Sequence, residues 1–469
     1  MTRVSKAKDA LQQVWLDAQL DEASLRSAEL TGHEPVLPSS FPVGTAAQVS
    51  IAAAALAAAE VWHLRARERQ AIRVDMRDAA LECLGFFSID GKAPEAWKEL
   101  SGLYPCGADS SRPGFVRIHA NFDHHRDGAL RLLDLPTDGT ASRDDVVRAL
   151  RQWSAEEFER AADRAGLVVA ALRTFEEWDH HPQSTAVATT PLIHVEKIVE
   201  ASTSLPALNP NRRPLEGLRV LDLTRILAGP VAGRTLAAYG ADVMLVNSPK
   251  LPNIDAIADT SRGKLSVHID LKTPEGVATL KALCRETHIF VQGYRPGSLE
   301  QLGFGPKHLA AIRPGIIYVS LSAYGEAGPW TQKRGFDSLV QTATGFNAAE
   351  GEAFGAREPR ALPMQILDFA SGFLMVFGAE AALLRQAREG GSWHVRVSLA
   401  RTAQWLRSLG RIPDGVRADR PNFDDRLETY ESGFGTLRAL RHAAQFARTP
   451  AFWRRPSMPP GSNKPEWPR

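Results

Sequence analysis

Asp368 ends the segment PMQILD and stands directly ahead of a long apolar run, FASGFLMVFGAEAALL. Taken alone, that residue has two readings. An aspartate in front of an apolar helix is a favoured cap, contributing about 1 kcal/mol. A carboxylate in such a place is also a nucleophile that splits one difficult transfer into easier covalent steps. The second reading requires the carboxylate to ionise without an arginine clamping it. MQIL, read as an apolar strand, would aim Asp368 at a helix start whose amides could stabilise an oxyanion. Two histidine groups compete for attention: His119, His124 and His125 in RIHANFDHHRD, and His180 and His181 in WDHHPQ. Metal binding needs ligands that converge in space, and adjacent histidines usually point apart. No metal site is expected, and these side chains are read as surface or loop-packing residues. Cys83, Cys106 and Cys284 are odd in number and far apart. They fit reduced thiols in a cytoplasmic protein better than a disulfide framework or a zinc site.

The elements that would position this chemistry begin at residue 215. RVLDLT and GADVMLV are short apolar runs suited to buried parallel strands. A helix over residues 231–239 separates them, opened by Gly229-Pro230 and stopped by Gly240. Strand, glycine turn, helix and strand make a βαβ unit, which places a ligand at the carboxyl ends of the strands. Upstream, residues 1–45 read as helical and then loosen through TGHEPVLPSSFPVG. Residues 46–95 hold an alanine-rich helix, then a strand and helix in AIRVDMRDAALECLGFF. That piece parallels AREGGSWHVRVSLARTAQWL further on, so one helix–strand–helix segment occurs twice. The earlier copy has Ala47 or Gln48 where the later has Asp368. Residues 96–200 form a smaller α/β module, with a strand in GFVRIHANF and a helix opened by the capping box of Ser154 and Glu157. A linker over 201–214 leads to the large domain at 215–410. A closing segment follows over 411–469, its last residues, PPGSNKPEWPR, read as a poorly ordered tail.

After the βαβ unit come SRGKLSVHIDLKTPEG, VQGYRPGSLEQLGFG, IIYVSLSAYGEAGPW, KRGFDSLVQTATG and ILDFASGFLMVFGAEAALL. This series resembles the family III CoA-transferases, the group that includes formyl-CoA transferase and the α-methylacyl-CoA racemases. GLVVAALRTFEEWDHHPQ resembles the family's small domain, so the order of segments looks rearranged. The resemblance implies an α/β fold in which a doubly wound parallel sheet forms the CoA-binding large domain. It makes Asp368 the nucleophile, through an aspartyl mixed anhydride and then an enzyme–CoA thioester, and places Asp337 as an acidic group near it. CoA phosphates would be held at Gly229 and by Arg262, Lys264, Arg295 and Arg334. No permanently bound cofactor is implied; CoA and acyl-CoA enter as substrates beside a carboxylic acid. The family's interlocked homodimer is also expected.

Some positions depart from the family pattern. Racemases carry a histidine base where this chain has Phe336, and proton transfer at a carbon needs a base on each face. That favours the transferase over a racemase. Asn247, Ser248 and Gly293 replace other residues common in CoA loops, and the glycine-rich flap is missing. Both keep a non-catalytic CoA-binding protein as the alternative.

Composition narrows the remaining classes. The chain has 469 residues and a formal charge of +2, from 56 basic and 54 acidic side chains. Length allows two or three domains. Near balance, with no basic run interleaved with aromatics, argues against a nucleic-acid surface. No stretch of about 18 consecutive apolar residues marks a membrane span.

Overall fold

The computed structural model describes residues 6–110, 113–203 and 205–468. A helix built largely of alanine, with valine and leucine, has no polar face for water, so Val43–Ala66 must be enclosed on all sides. Its enclosure is largely a second helix of the same length, Ile366–Glu389, packed along it. Both are long and apolar enough to cross a membrane, yet 94% and 100% of their most apolar windows are buried inside the protein. They are core helices. Each leads into a strand and a capped helix. Ile72–Asp75 gives way to Met76–Glu82, whose first amides are accepted by Asp75. Ser392–Ser398 gives way to Leu399–Ser408, capped by Ser398. The repeat legible in the sequence is therefore a repeat of structure.

The main sheet has seven strands: β1 (His194–Val199), β2 (Arg219–Leu223), β3 (Asp242–Asn247), β4 (Lys264–His268), β5 (Ile289–Gln292), β6 (Ile317–Ser322) and β7 (Ser392–Ser398). Their order is β4-β3-β2-β5-β6-β7-β1, parallel throughout except for β1, which runs antiparallel to β7. The expected α/β fold with a parallel sheet is what forms. β1 lies within the range read as the small module, 96–200, yet it covers the free edge of β7 with hydrogen bonds that the edge would otherwise leave open. The rest of the module has an antiparallel sheet of Gly102–Cys106, Gly114–Ile118 and Val169–Ala171 around its own core of Tyr104, Val116, Leu150 and Phe158. The capping box of Ser154 and Glu157 opens the helix Ala155–Arg164 as expected.

Two local expectations need correction. Met364 and Gln365 form no strand; helix begins at Ile366, because the Met364 carbonyl is engaged by Gln341 and no neighbouring strand is present to pair with it. The described C-terminal residues, through 468, are also not loose. The Asn463 amide donates to the Ser266 carbonyl at 2.8 Å, and its side chain accepts the Ser266 amide at 2.8 Å. The Trp467 indole donates to Leu283 O at 3.1 Å. A tail that completes the outer edge of β4 has its backbone paired and stays in place.

Candidate active site

Strand order reverses at β2, with β3 on one side and β5 on the other, so their carboxyl ends part to leave a crevice. The helix Ala228–Ala238 starts at this crevice, three residues earlier than the sequence suggested. Gly229 lies in its first turn. A Cβ there would fall 2.3 Å from Thr224 Cβ, so only glycine lets the helix start sit this close to the strand end. Arg225 follows directly after β2, half-buried, with its Nε unpartnered and its guanidinium donating to Pro252 O.

Asp368 reaches the crevice through a second glycine. One turn beyond it, Gly372 meets the crevice helix so closely that a Cβ would lie 2.5 Å from Ala228 O. Asp368 is the third residue of its helix and not the cap; the cap is Gln365, and no side chain caps this end. Asp368 is 7% exposed, and among the described residues no hydrogen bond or ion pair engages its carboxylate. The first-turn amide of Asp368 donates 2.9 Å to Asp337 Oδ2. Leu367 supplies a further backbone hydrogen bond to Asp337. These amides are therefore spent on Asp337 and are not open to the oxyanion role expected of them. Gln341 donates to the other oxygen of Asp337 and to Met364 O, and its own oxygen accepts the Leu362 amide at 3.0 Å. One buried glutamine thus fixes both the second carboxylate and the chain leading into Asp368.

Burial and then the charge of Asp337 push the Asp368 carboxyl well above the usual carboxylate range. Burial raises Asp337 to about 7, against the opposing pull of its amide donors and Arg117. Two carboxyls this close share one negative charge before they carry two. Asp337 is the better solvated by hydrogen bonds, so the first charge settles there and Asp368 ionises second. Among the described residues, no cation offsets the burial of Asp368.

The N-terminal module covers this site from within the same chain. The His119 ring sits 4.3 Å from the Phe336 ring, and the Arg117 guanidinium lies 4.9 Å over Trp97. Buried Glu159 bonds Arg173 and stands 3.6 Å from Lys333, tying the loop before Phe336 to the module. Phe122 lies between His125 and the Arg225 guanidinium, which is 5.8 Å from its ring. His119 and His125, expected as surface or loop-packing residues, are 6% and 5% exposed. Their place at this interface was not legible, because it is set by a segment more than two hundred residues away.

The residues expected to bind CoA divide into two groups. Gly229, Arg295 and Arg334 border the crevice: Arg295 is exposed, and Arg334 is half-buried and close enough to feel its charge. Arg262 and Lys264 are each 1% exposed and already committed. Arg262 pairs with Asp259 and lies 3.8 Å over Trp453. Lys264 Nζ pairs with Asp222 at 2.8 Å and donates to Pro230 O at 2.8 Å. Their assignment to CoA is corrected: both brace the sheet under the crevice helix, and the C-terminal segment covers Arg262. Arg225, not singled out from the sequence, also stands at the crevice, just past the first strand of the βαβ unit.

Residues 215–410 match the family described as CoA-transferase family III. This chain carries a CoA-transferase family III region. Over 301 residues it is 30% identical to an acyl-CoA transferase of Gibberella moniliformis, covering 61% of this chain and 53% of that one. It is 34% identical to a succinate–glutarate CoA-transferase of Agrobacterium fabrum, over 40% of this chain and 52% of that one. A human succinyl-CoA:glutarate CoA-transferase is 34% identical over 39% of this chain and 44% of its own length. The chain spans about half the length of these relatives. The CoA-transferase family III region contains the crevice, Asp337, Asp368 and the two glycines that bring them together. The module over residues 96–200 lies outside it.

Proposed function

We propose that this chain is a CoA-transferase that moves CoA from an acyl-CoA donor to a carboxylic acid, with Asp368 as nucleophile. The observation that carries this is a buried carboxylate with no partner of its own, next to a second carboxylate and at the mouth of the crevice. Asp368 attacks the donor thioester; the C–S bond breaks, leaving a mixed anhydride and CoA thiolate. The thiolate attacks the aspartyl carbonyl, the anhydride C–O bond breaks, and the donor acid leaves. The acceptor carboxylate then runs the two steps in reverse and departs as its CoA thioester. An ionised Asp368 beside Asp337 is a strong nucleophile because its charge is poorly stabilised until it attacks. The CoA phosphates fit the start of the crevice helix with Arg225, Arg295 and Arg334 around it.

The module at residues 97–126 meets the Phe336 loop within one chain, so we place a complete site in each chain. A homodimer would then double the site without finishing it. Three buried free thiols suit a cytoplasmic setting.

The test is covalent. Incubation with an acyl-CoA followed by borohydride should reduce an enzyme–CoA thioester at Asp368, read as a mass change on its peptide, and Asp368→Asn should show none. A wild-type protein that binds CoA yet is never modified would support the non-catalytic alternative, which the unusual Gly293 and Asn247 positions keep in view.

A further inference from the structure

Arg117 is a charge in a place that calls for an apolar side chain. It sits in the module strand Gly114–Ile118 between Val116 and Ile118, which point into the module's own core. Alternation turns Arg117 to the opposite face of the sheet, beside Ala170, where the module meets the main core. The strand packs against the short helix Asp337–Ala343. Arg117 is 7% exposed, its Nε is unpartnered, and among the described residues no ion pair or hydrogen bond holds its guanidinium. Burying a cation without a bonded counterion is costly, and an apolar side chain would fill the space without that cost. The acid that acts on it is Asp337, 1% exposed at the start of its helix. Arg143 opposes that pull from the surface, where it donates to Leu103 O. On the long helix, Asp368 faces Asp337. The other charges on elements packed against the Asp337 helix are engaged elsewhere: Arg173 with Glu159, Arg407 with Asp179, Arg401 with Thr190 O and Glu350 with Ser40. Glu352 is exposed, and burial holds the His119 imidazole beside Phe336 neutral, its pKa lowered to about 4.

We propose that Arg117 is a positioning residue for the transfer reaction: it keeps Asp337 charged, and the charged Asp337 holds the backbone amides of Leu367 and Asp368. This rests on the transferase reading, in which Asp368 reacts. The cation comes from outside the CoA-transferase family III region, on a strand of the module over residues 96–200. A charged carboxylate binds amides roughly twice as strongly as a neutral one. Burial lifts Asp337 to about 7 even with Arg117 present, so its charge at neutral pH depends on the cation. Without Arg117, Asp337 takes up a proton, its grip on the two amides weakens, and the first turn of the long helix no longer fixes Asp368.

Arg117→Met removes the charge and keeps an apolar stem beside Trp97; Arg117→Gln serves as the second variant. The acid limb of the kcat/KM profile should move up by about one pH unit or more, the usual effect of losing a nearby opposite charge. Transfer lost at acid pH should return as pH rises. Arg117→Lys restores the charge and should bring the limb back toward the wild type. Asp337→Asn keeps a neutral acceptor for the amides, and in that background Arg117→Met should leave the limb where it is. An unmoved limb in a folded Arg117 variant, an equal loss at every pH, or the same shift in the Asp337→Asn background overturns the assignment. The Asp337 carboxyl stretch, identified by infrared difference against Asp337→Asn, reads the same titration without turnover and should move up with the limb. A shifted band in a protein that never transfers CoA would sink the Asp368 mechanism and leave the hold of Arg117 on Asp337 standing. Transfer with an unmoved band would do the reverse.

Discussion

The backbone amide of Asp368 donates to the side chain of Asp337 across 2.9 Å, so the two carboxyls are held together by the start of the very helix that carries one of them. The link lets Asp337 tune Asp368 without touching a substrate. Removing its charge should make Asp368 easier to ionise. In Asp337→Asn, the acid limb of the kcat/KM profile should move to lower pH by about one unit or more, the usual effect of losing a like charge. A limb that stays in place would show that Asp368 does not titrate against Asp337.

The same pair makes folding pH-dependent. Both groups have folded pKa values raised above the ordinary aspartate value, Asp337 to about 7. The folded state therefore holds protons that the unfolded chain releases near pH 4. Stability from these groups is fully present below that pH and lost as pH rises toward about 7. The decline is up to about 1.4 kcal/mol per pH unit for one proton. Urea midpoints of the wild type should fall across this window relative to Asp337→Asn. Parallel curves would refute it.

Local features of this fold were readable because local residues decide them. Gly229-Pro230 and Gly240 mark the crevice helix, and Gly240 does take a positive φ of 110° at its end. The helix–strand–helix repeat was also visible, because each copy writes its own apolar pattern. The partnership of Asp337 with Asp368 spans 31 residues and is closed by Gln341, which no spacing rule picks out. Arg262 and Lys264 looked like phosphate ligands because their buried partners lie elsewhere: Asp222 on another strand and Trp453 near the chain's end. His119 and His125 were discounted as metal ligands, which was a separate question from whether they line a site. A basic residue on a loop has the same sequence signature whether its charge is already spent or still open.

Lys264 gives a direct check of that correction. Lys264→Met leaves Asp222 charged and buried without its cation, which should cost about 3–5 kcal/mol. Asp222→Asn in the same chain removes the stranded charge while keeping an acceptor for Thr224, and should restore most of the loss. CoA affinity of the double variant, by calorimetry, should stay within about twofold of the wild type. A large loss of affinity in a folded double variant would return Lys264 to the phosphate site.

Gly372 sets how Asp368 meets the crevice. A methyl in Gly372→Ala would press on the Ala228 carbonyl and force the two helices apart. Overpacking should cost about 1–3 kcal/mol. The chemical effect should be larger, because a displacement of about 1 Å between reacting groups is worth roughly a hundredfold. The variant should bind CoA nearly as well as the wild type while its kcat for transfer collapses. A parallel loss of binding and turnover would mean that the glycine serves only the packing of the crevice helix.

Glu380 sits on the same long helix, three turns beyond Asp368 and away from the crevice. It is 0% exposed, and neither carboxylate oxygen has a partner among the described residues. Burial alone raises its pKa well above the usual range, so the folded protein keeps it protonated. That retention does not depend on function, and it should weaken the fold as pH rises. Below the unfolded glutamate pKa both states hold the proton and the penalty vanishes. Above it, each pH unit costs up to about 1.4 kcal/mol until the folded group also ionises. Glu380→Leu keeps the bulk and removes the acid, so it should raise the urea midpoint markedly at pH 8 and little at pH 4. An equal gain at both pH values would assign the benefit to packing. Loss of transfer activity in a stabilised Glu380→Leu would instead show that this buried acid takes part in function.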